Sequence, residues 1–324
     1  MRSSNLLAVL ALTTMVLGFP AQAEKWDMPL AYAATNYHSE NATRFAAAVT
    51  EATGGELEIV THPGGSLFKG GDIFRAVRTG QAPIGERLIS ALGNEDAIFE
   101  VDALPFLATS FDQAWNLYQA SKPAMEAVLD EKNLKLLYAV PWPPQGLYNK
   151  NPVNSAADMK GVKFRAYNQA TSRLAELLGA VPTKIEAAEL SQAFATGVAD
   201  SMISSGSTGY DRKIWEHVTF WYDVQAWLPK NMVVVNKDAW AGLDAATQGV
   251  VLGAAAMAEQ AGWAKARELA DWYKEQLAAN GMTVDGPSET LKADFMGIGE
   301  TMTNEWLERA GDTGKGVVND YRNM

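Results

Sequence analysis

The sequence predicts an α/β fold of two lobes, with long C-terminal helices packed across both. Three observations predict it. Apolar positions switch between strand and helix periods over residues 26–80, and the same alternation returns over 162–203. The two stretches share a phrase, Ala76-x-x-Thr79-Gly80-x-Ala82 and Ala193-x-x-Thr196-Gly197-x-Ala199, each closing a helix and opening a strand. Residues 243–280 contain no proline and are rich in Ala, Glu, Lys and Gln, the composition of one very long helix or two abutting ones.

In chain order, 26–34 reads as a strand, and Ser39 as the N-cap of a helix with Ala42, Phe45, Ala46, Val49 and Ala52 on one face. Gly54-Gly55 stops that helix. Residues 56–61 alternate as a second strand, and Ile73, Phe74 and Val77 mark a short helix that ends at Gly80. The second unit runs as strand 162–165, helix 171–178, strand 181–184, helix 187–196 and strand 200–203. A four-position match in 324 residues also arises by coincidence, but here it falls at matching places in the strand order. A real repeat makes Glu86, Arg87 and Leu88 equivalent to Ile203, Ser204 and Ser205. Ligands of open α/β sheets sit beyond the carboxyl ends of strands, so two such lobes face each other across a cleft. A strand at 232–236 precedes the long helix, and another helix covers 288–310. The expected organisation is a signal peptide over 1–23, lobe I over 24–146, lobe II over 147–235, and helices packing across both over 236–324.

The N-terminus carries Arg2, an apolar stretch over 6–19 and the small-x-small sequence Ala21-Gln22-Ala23 of a signal-peptidase site. That stretch of about 14 residues is short of the roughly 20 needed to span a bilayer. Cleavage after Ala23 and a periplasmic location follow as expectations. The chain has 38 Asp and Glu against 27 Lys and Arg, a net charge of −11, which repels nucleic-acid phosphate. It has no cysteine, which excludes disulfides, thiolate metal sites and thiol nucleophiles.

No catalytic constellation stands out. His38, His62 and His217 are far apart and fall in no recognised motif, no serine sits in a Gly-x-Ser-x-Gly elbow, and Gly314-Lys315-Gly316 lacks the spacing of a phosphate loop. No metal or cofactor is expected. Aromatic residues crowd apparent loops instead: Trp142 and Tyr148 flank Pro-Pro-Gln-Gly, Tyr167 follows Arg165, and Trp221, Tyr222 and Trp227 precede Pro229. Small-ligand pockets are built this way. Trp215, Trp240, Trp263, Trp272 and Trp306, on helical segments, are expected in packing. Arg165 ends a predicted strand, where a guanidinium offers its fork of donors to a carboxylate. Ser204, Ser205 and Thr208 offer neutral hydrogen bonds across the cleft. Asn168, Tyr37, Glu86 and Arg87 complete the candidate ligand contacts.

A family resemblance covers nearly the whole chain after the signal peptide. It rests on Phe45-Ala46-Ala47-Ala48-Val49 with Thr53-Gly54-Gly55, His62-Pro63-Gly64-Gly65-Ser66-Leu67, Asp102-Ala103-Leu104-Pro105-Phe106-Leu107, Asp158-Met159-Lys160-Gly161-Val162-Lys163-Phe164-Arg165, and Ala195-Thr196-Gly197-Val198-Ala199-Asp200. In this order they resemble the DctP-like solute receptors of tripartite ATP-independent periplasmic (TRAP) transporters. The resemblance implies a periplasmic binding protein fold that closes by hinge motion, a long helix spanning both lobes, and a membrane permease that imports the ligand on a sodium gradient. It implies that Arg165 holds a ligand carboxylate, and that Trp227 stands where the family places an aromatic or histidine. Two departures bear on the ligand. Ser201-Met202-Ile203-Ser204-Ser205-Gly206 replaces a polar Gly-Gln-Glu-Asn-like run, and the segment from Trp142 to Tyr148 lacks a second arginine.

One clamp and an aromatic wall point to a monocarboxylate, an aromatic acid ahead of a sugar acid. The chain is expected to act as a monomer. A secreted enzyme acting on a carboxylated small molecule is the competing reading, with no nucleophile, base or metal set to support it.

Overall fold

The structure, a computed structural model, describes residues 23–324; the signal peptide expected over 1–23 lies, but for Ala23, outside the described residues. The first unit runs β1 (Glu24–Pro29), α1 (Tyr37–Ala52), β2 (Leu57–His62), α2 (Ile73–Arg78) and β3 (Ile84–Leu88). Then come α3 (Phe111–Glu131), β4 (Leu134–Pro141) and β5 (Gln145–Asn149). The second unit is β6 (Lys163–Ala166), α4 (Gln169–Leu177), β7 (Val181–Lys184), α5 (Leu190–Ala195) and β8 (Ser201–Ser205). After α6 (Gly206–Asp211) and β9 (Phe220–Tyr222), β10 (Lys230–Asn236) leads into α7 (Lys237–Gly242), α8 (Ala245–Ala279), β11 (Thr283–Asp285) and α9 (Glu289–Arg322).

The shared phrase is one turn used twice. The Ala76 carbonyl accepts from Gln81 N and Ala82 N at 2.8 and 3.2 Å, and the Ala193 carbonyl accepts from Val198 N and Ala199 N at 2.9 and 3.3 Å. Gly80 and Gly197 take φ of 72° and 70°, the left-handed region that costs glycine nothing. Each helix is therefore stopped alike. β3 and β8 then begin eight residues after the respective alanine, so Arg87 and Leu88 are the counterparts of Ser204 and Ser205.

Local details differ from the sequence pattern. α1 is capped by Asn36, whose side chain accepts from His38 N at 3.0 Å, while Ser39 lies in the first turn and donates to the Tyr32 carbonyl. Tyr148 and Trp221 are not in loops but in β5 and β9, fully buried in the sheet. Of the helical tryptophans, Trp263 and Trp306 are buried, Trp215 and Trp240 are half-buried, and Trp272 is exposed. α9 starts on the Ser288 cap and passes the expected end at 310, breaking at Gly311, whose φ and ψ of 58° and −141° are not helical, before a last segment.

β1 and β2 pair in parallel, β10 lies antiparallel between β3 and β4, and a six-stranded sheet has the order β11-β9-β5-β8-β6-β7. Residues 230–236 thus hydrogen-bond with strands of the first lobe, although the sequence order groups them with lobe II; the pairing is non-local and leaves no local signature. The links β4 to β5 and β9 to β10 run side by side between the lobes. Trp142 N donates to Pro229 O at 2.8 Å, Gln145 N to Trp227 O at 3.0 Å, and Ala226 N to Gln145 O at 3.0 Å.

α8 spans the two lobes, packing on α1 and β4 in one and on α6 and β11 in the other. Its approach to β4 needs a glycine: a Cβ on Gly262 would lie 2.4 Å from a Val140 methyl. Trp263 Nε1 donates to the Ala139 carbonyl at 3.0 Å and Asn41 Nδ2 to the Ala258 carbonyl at 2.9 Å, fixing the helix to lobe I. Lys274 pairs with Asp223 at 2.7 Å on the other side.

Candidate functional site

β6 lies between β7 and β8, and strand alternation sends Phe164 and Ala166 into the core on one face and Arg165 to the other. Arg165 is only 3% exposed. Its Nε donates to the Ile185 carbonyl at 2.9 Å, and its Cζ lies 5.0 Å from the centre of the Tyr167 ring. Among the described residues its two terminal amino groups have no protein acceptor. Burial pulls the guanidinium down to about 10, still charged at neutral pH. A buried cation with both amino groups unclaimed complements the two oxygens of a carboxylate.

The cavity before Arg165 has about 440 Å³ of atom-free space, counted out into the open cleft. Both lobes supply its walls. Arg87 and Leu88 come from the end of β3, and Ser204 and Ser205 from the equivalent end of β8, with Thr208 one turn further on. Tyr32, which follows β1, and Trp142, in the first interlobe link, meet edge to face with ring centres 4.8 Å apart. Trp142 Nε1 donates to Asn231 Oδ1 at 2.9 Å, which sets the indole as a wall. Gln145, Tyr167 and Glu186 line it as well.

Glu86 and Arg87 are consecutive on β3, so they face opposite ways. Arg87 lines the cavity and Glu86 does not. Glu86 lies behind the wall, accepts from Asn231 Nδ2 at 3.0 Å, and is pushed by burial to about 8, so it keeps its proton at neutral pH. Tyr37, Trp227 and Asn168, candidate contacts by sequence, also stand outside the cavity lining. Tyr37 donates to the Pro141 carbonyl at 2.5 Å behind Trp142. Trp227 donates from Nε1 to the Tyr167 hydroxyl at 3.1 Å, and that hydroxyl donates to Gln145 Oε1 at 3.3 Å. Asn168 caps α4 by accepting from Thr171 N at 2.8 Å, and donates to Ser90 Oγ at 2.9 Å. Their polar groups are engaged with the protein, behind or beside the lining residues.

Tyr32, Gln145 and Glu186 are lining residues that the sequence pattern does not single out. Tyr32 and Glu186 each follow a strand, β1 and β7, so the rule that points to the ends of β3 and β8 would have found them. Among the described residues no group of His, Asp and Glu converges as a metal site. His62 lies 2.8 Å from Asp27, and His38 is buried between Tyr37 and Trp142.

A two-lobed α/β body, crossed by side-by-side links and by the long helix α8, with a buried cation in the cleft whose amino groups are unclaimed, has the build of a small-molecule receptor. Residues 31–309 match the family described as bacterial extracellular solute-binding protein, family 7 (DctP), and the chain belongs to that family. It is similar to solved TRAP receptors over nearly its whole length. A marine metagenome TRAP solute-binding protein, specific for pyroglutamate and in complex with co-purified pyroglutamate, is 52% identical with a TM-score of 0.92, covering 94% of this chain and 100% of that one. Two Bordetella pertussis extracytoplasmic solute receptors that bind pyroglutamic acid, DctP6 and DctP7, are 48% and 43% identical, with TM-scores of 0.91 and 0.92. Each similarity covers 93% of this chain and 100% of the receptor. These relatives are solute-binding receptors, not enzymes.

Proposed function

We propose that this chain is an extracytoplasmic receptor of a TRAP transporter for a compact monocarboxylate, with pyroglutamate the first candidate. The observation that carries this reading is Arg165, a buried charge with both amino groups unclaimed at the wall of a small cavity. The ligand carboxylate takes those amino groups in a bidentate pair. Its body lies against Trp142 and Tyr32, and its remaining polar atoms meet Ser204, Ser205, Thr208 and Gln145. Three receptors 43–52% identical to this chain bind pyroglutamate, a compact five-membered lactam acid with one carboxylate for Arg165. An aromatic acid is the second candidate, since the same rings would stack on it. A sugar acid is third, because its many hydroxyls ask for more room.

The chain is exported, loses residues 1–23, and as a single copy hands its ligand to a sodium-coupled permease. Thermal melts of the purified protein with pyroglutamate, benzoate and a sugar acid test the ligand. A ligand at 100 times its Kd adds about 2.7 kcal/mol of stability. Pyroglutamate is expected to give the largest shift, and Arg165→Ala to abolish it. No shift with any monocarboxylate would overturn the reading. Sodium-dependent uptake of labelled pyroglutamate into vesicles carrying the permease, with and without the receptor, tests delivery.

A further inference from the structure

Residues 185 and 186 directly follow β7, and together they touch both cleft arginines. The Ile185 carbonyl takes Arg165 Nε. The Glu186 carboxylate takes the fork of Arg87, with Nη2 to Oε1 at 3.3 Å and Nη1 to Oε2 at 3.5 Å. Arg87 comes from β3 and Glu186 from beyond β7, so this pair crosses the cleft. Arg87 is almost fully enclosed, and Glu186, with 35% of its side chain exposed, forms part of the cavity wall. The crossing is tight at Gly70, where a Cβ would lie 3.0 Å from Arg87 Nη1 and 3.2 Å from Glu186 Oε2.

The charges at the cavity are therefore two guanidiniums and one carboxylate, a surplus of one positive charge. We propose that Glu186 restricts this site to monoanions: by engaging Arg87 it leaves Arg165 as the cation open to ligand, and it presents negative charge where a second ligand carboxylate would lie. This rests on Arg165 as the carboxylate clamp. A second carboxylate entering the cavity is repelled by Glu186 and finds its counter-ion already taken. A neutral N–H or O–H donor is accepted by the same Glu186 oxygens. The ligand class that fits carries one carboxylate at the Arg165 end and a neutral donor, such as a lactam N–H, at the other.

Calorimetry with pyroglutamate and glutarate, five-carbon acids with one and two carboxylates, tests this on the wild-type chain, Glu186→Gln and Arg87→Gln. Wild type is expected to favour pyroglutamate. Glu186→Gln keeps an oxygen for Arg87 but adds one positive charge to the cavity, so the preference shifts toward glutarate by at least tenfold, or about 1.4 kcal/mol. Arg87→Gln leaves Glu186 unpaired, so binding of both acids weakens and the preference moves further from glutarate. An unchanged preference in Glu186→Gln that still binds pyroglutamate overturns the role of Glu186 and leaves the receptor reading intact. Wild-type protein that binds glutarate as tightly as pyroglutamate overturns it too. Wild-type protein that binds no monocarboxylate overturns both. If melting shows Glu186→Gln to be unfolded, Arg87→Gln decides, since an unchanged preference there contradicts the same charge count.

Discussion

Arg165 Nε donates to the Ile185 carbonyl at 2.9 Å, and that bond fixes the direction in which the guanidinium fork opens. With Nε committed to backbone and the Tyr167 ring 5.0 Å from Cζ, the two amino groups stay together on the cavity side. A lysine cannot copy this, because its single ammonium must choose between the Ile185 carbonyl and the ligand. Arg165→Lys is therefore expected to weaken pyroglutamate binding by about 10- to 100-fold, the loss of one charge-assisted hydrogen bond of roughly 1.5–3 kcal/mol. Titration calorimetry reads it directly. Equal affinity in the lysine variant would mean that the ligand does not use the fork.

Ser204 and Ser205 are neighbours at the end of β8, and their hydroxyls have different work. Ser205 Oγ accepts from Thr208 N at 3.2 Å as the N-cap of α6. Ser204 is buried and lines the cavity, and among the described residues its hydroxyl has no protein partner. Ser205→Ala is expected to lower stability by about 0.5–1 kcal/mol in the absence of ligand. Ser204→Ala should leave the ligand-free melting temperature nearly unchanged and weaken binding about fivefold, one neutral hydrogen bond of about 1 kcal/mol. Melting with and without pyroglutamate separates the two effects.

Trp227 acts through Tyr167. Its indole donor at 3.1 Å and the onward bond to Gln145 hold the Tyr167 hydroxyl in place, and with it the ring over Arg165. Trp227→Phe removes that donor and opens a void in a fully buried site. It is expected to destabilise the protein by about 2–3 kcal/mol, from a lost hydrogen bond plus a cavity, and to weaken binding only several-fold. Urea unfolding and calorimetry on the same variant check both. A binding loss as large as that of Arg165→Lys would put the indole in direct contact with the ligand.

The parts of the fold that the sequence makes legible are those whose signal is local. The Ala-x-x-Thr-Gly-x-Ala turn, the start of α9 at Ser288 and the proline-free run that becomes α8 each need only their own residues. β10 is different: its place between β3 and β4 depends on partners about 90 to 150 residues away, and no period in 230–236 records them. The site divides in the same way. Arg165, Ser204 and Ser205 end strands of a recognisable repeat, whereas Trp227 and Tyr37 look like pocket aromatics because composition does not say which side of a wall a ring stands on. Glu86 and Arg87 were separable in principle, since adjacent strand residues must face apart; which of them faces the cleft is set by the packing of β10.

Glu86 gives the protein a pH dependence whose sign can be worked out. Burial raises its pKa from 4.5 to about 8, so the folded chain holds this proton more tightly than the unfolded chain does. Below about pH 4.5 both states are protonated and the stability linked to this proton is fully present. From there to about pH 8 the unfolded chain releases the proton while the folded chain keeps it, which favours unfolding progressively. Above about pH 8 the folded chain releases it too, and the loss is complete. Asp211, raised by burial to about 6, adds a loss of the same sign in a lower window. Glu86→Gln keeps an oxygen for Asn231 Nδ2 and removes only the titration. The urea midpoint of wild type is therefore expected to fall more steeply between about pH 5 and 8 than that of Glu86→Gln, which should be the more stable protein at pH 8. Asp211 is common to both proteins, so its contribution cancels in the difference. Parallel midpoint curves would mean that Glu86 ionises in the fold near its ordinary value, with water reaching the far side of β3.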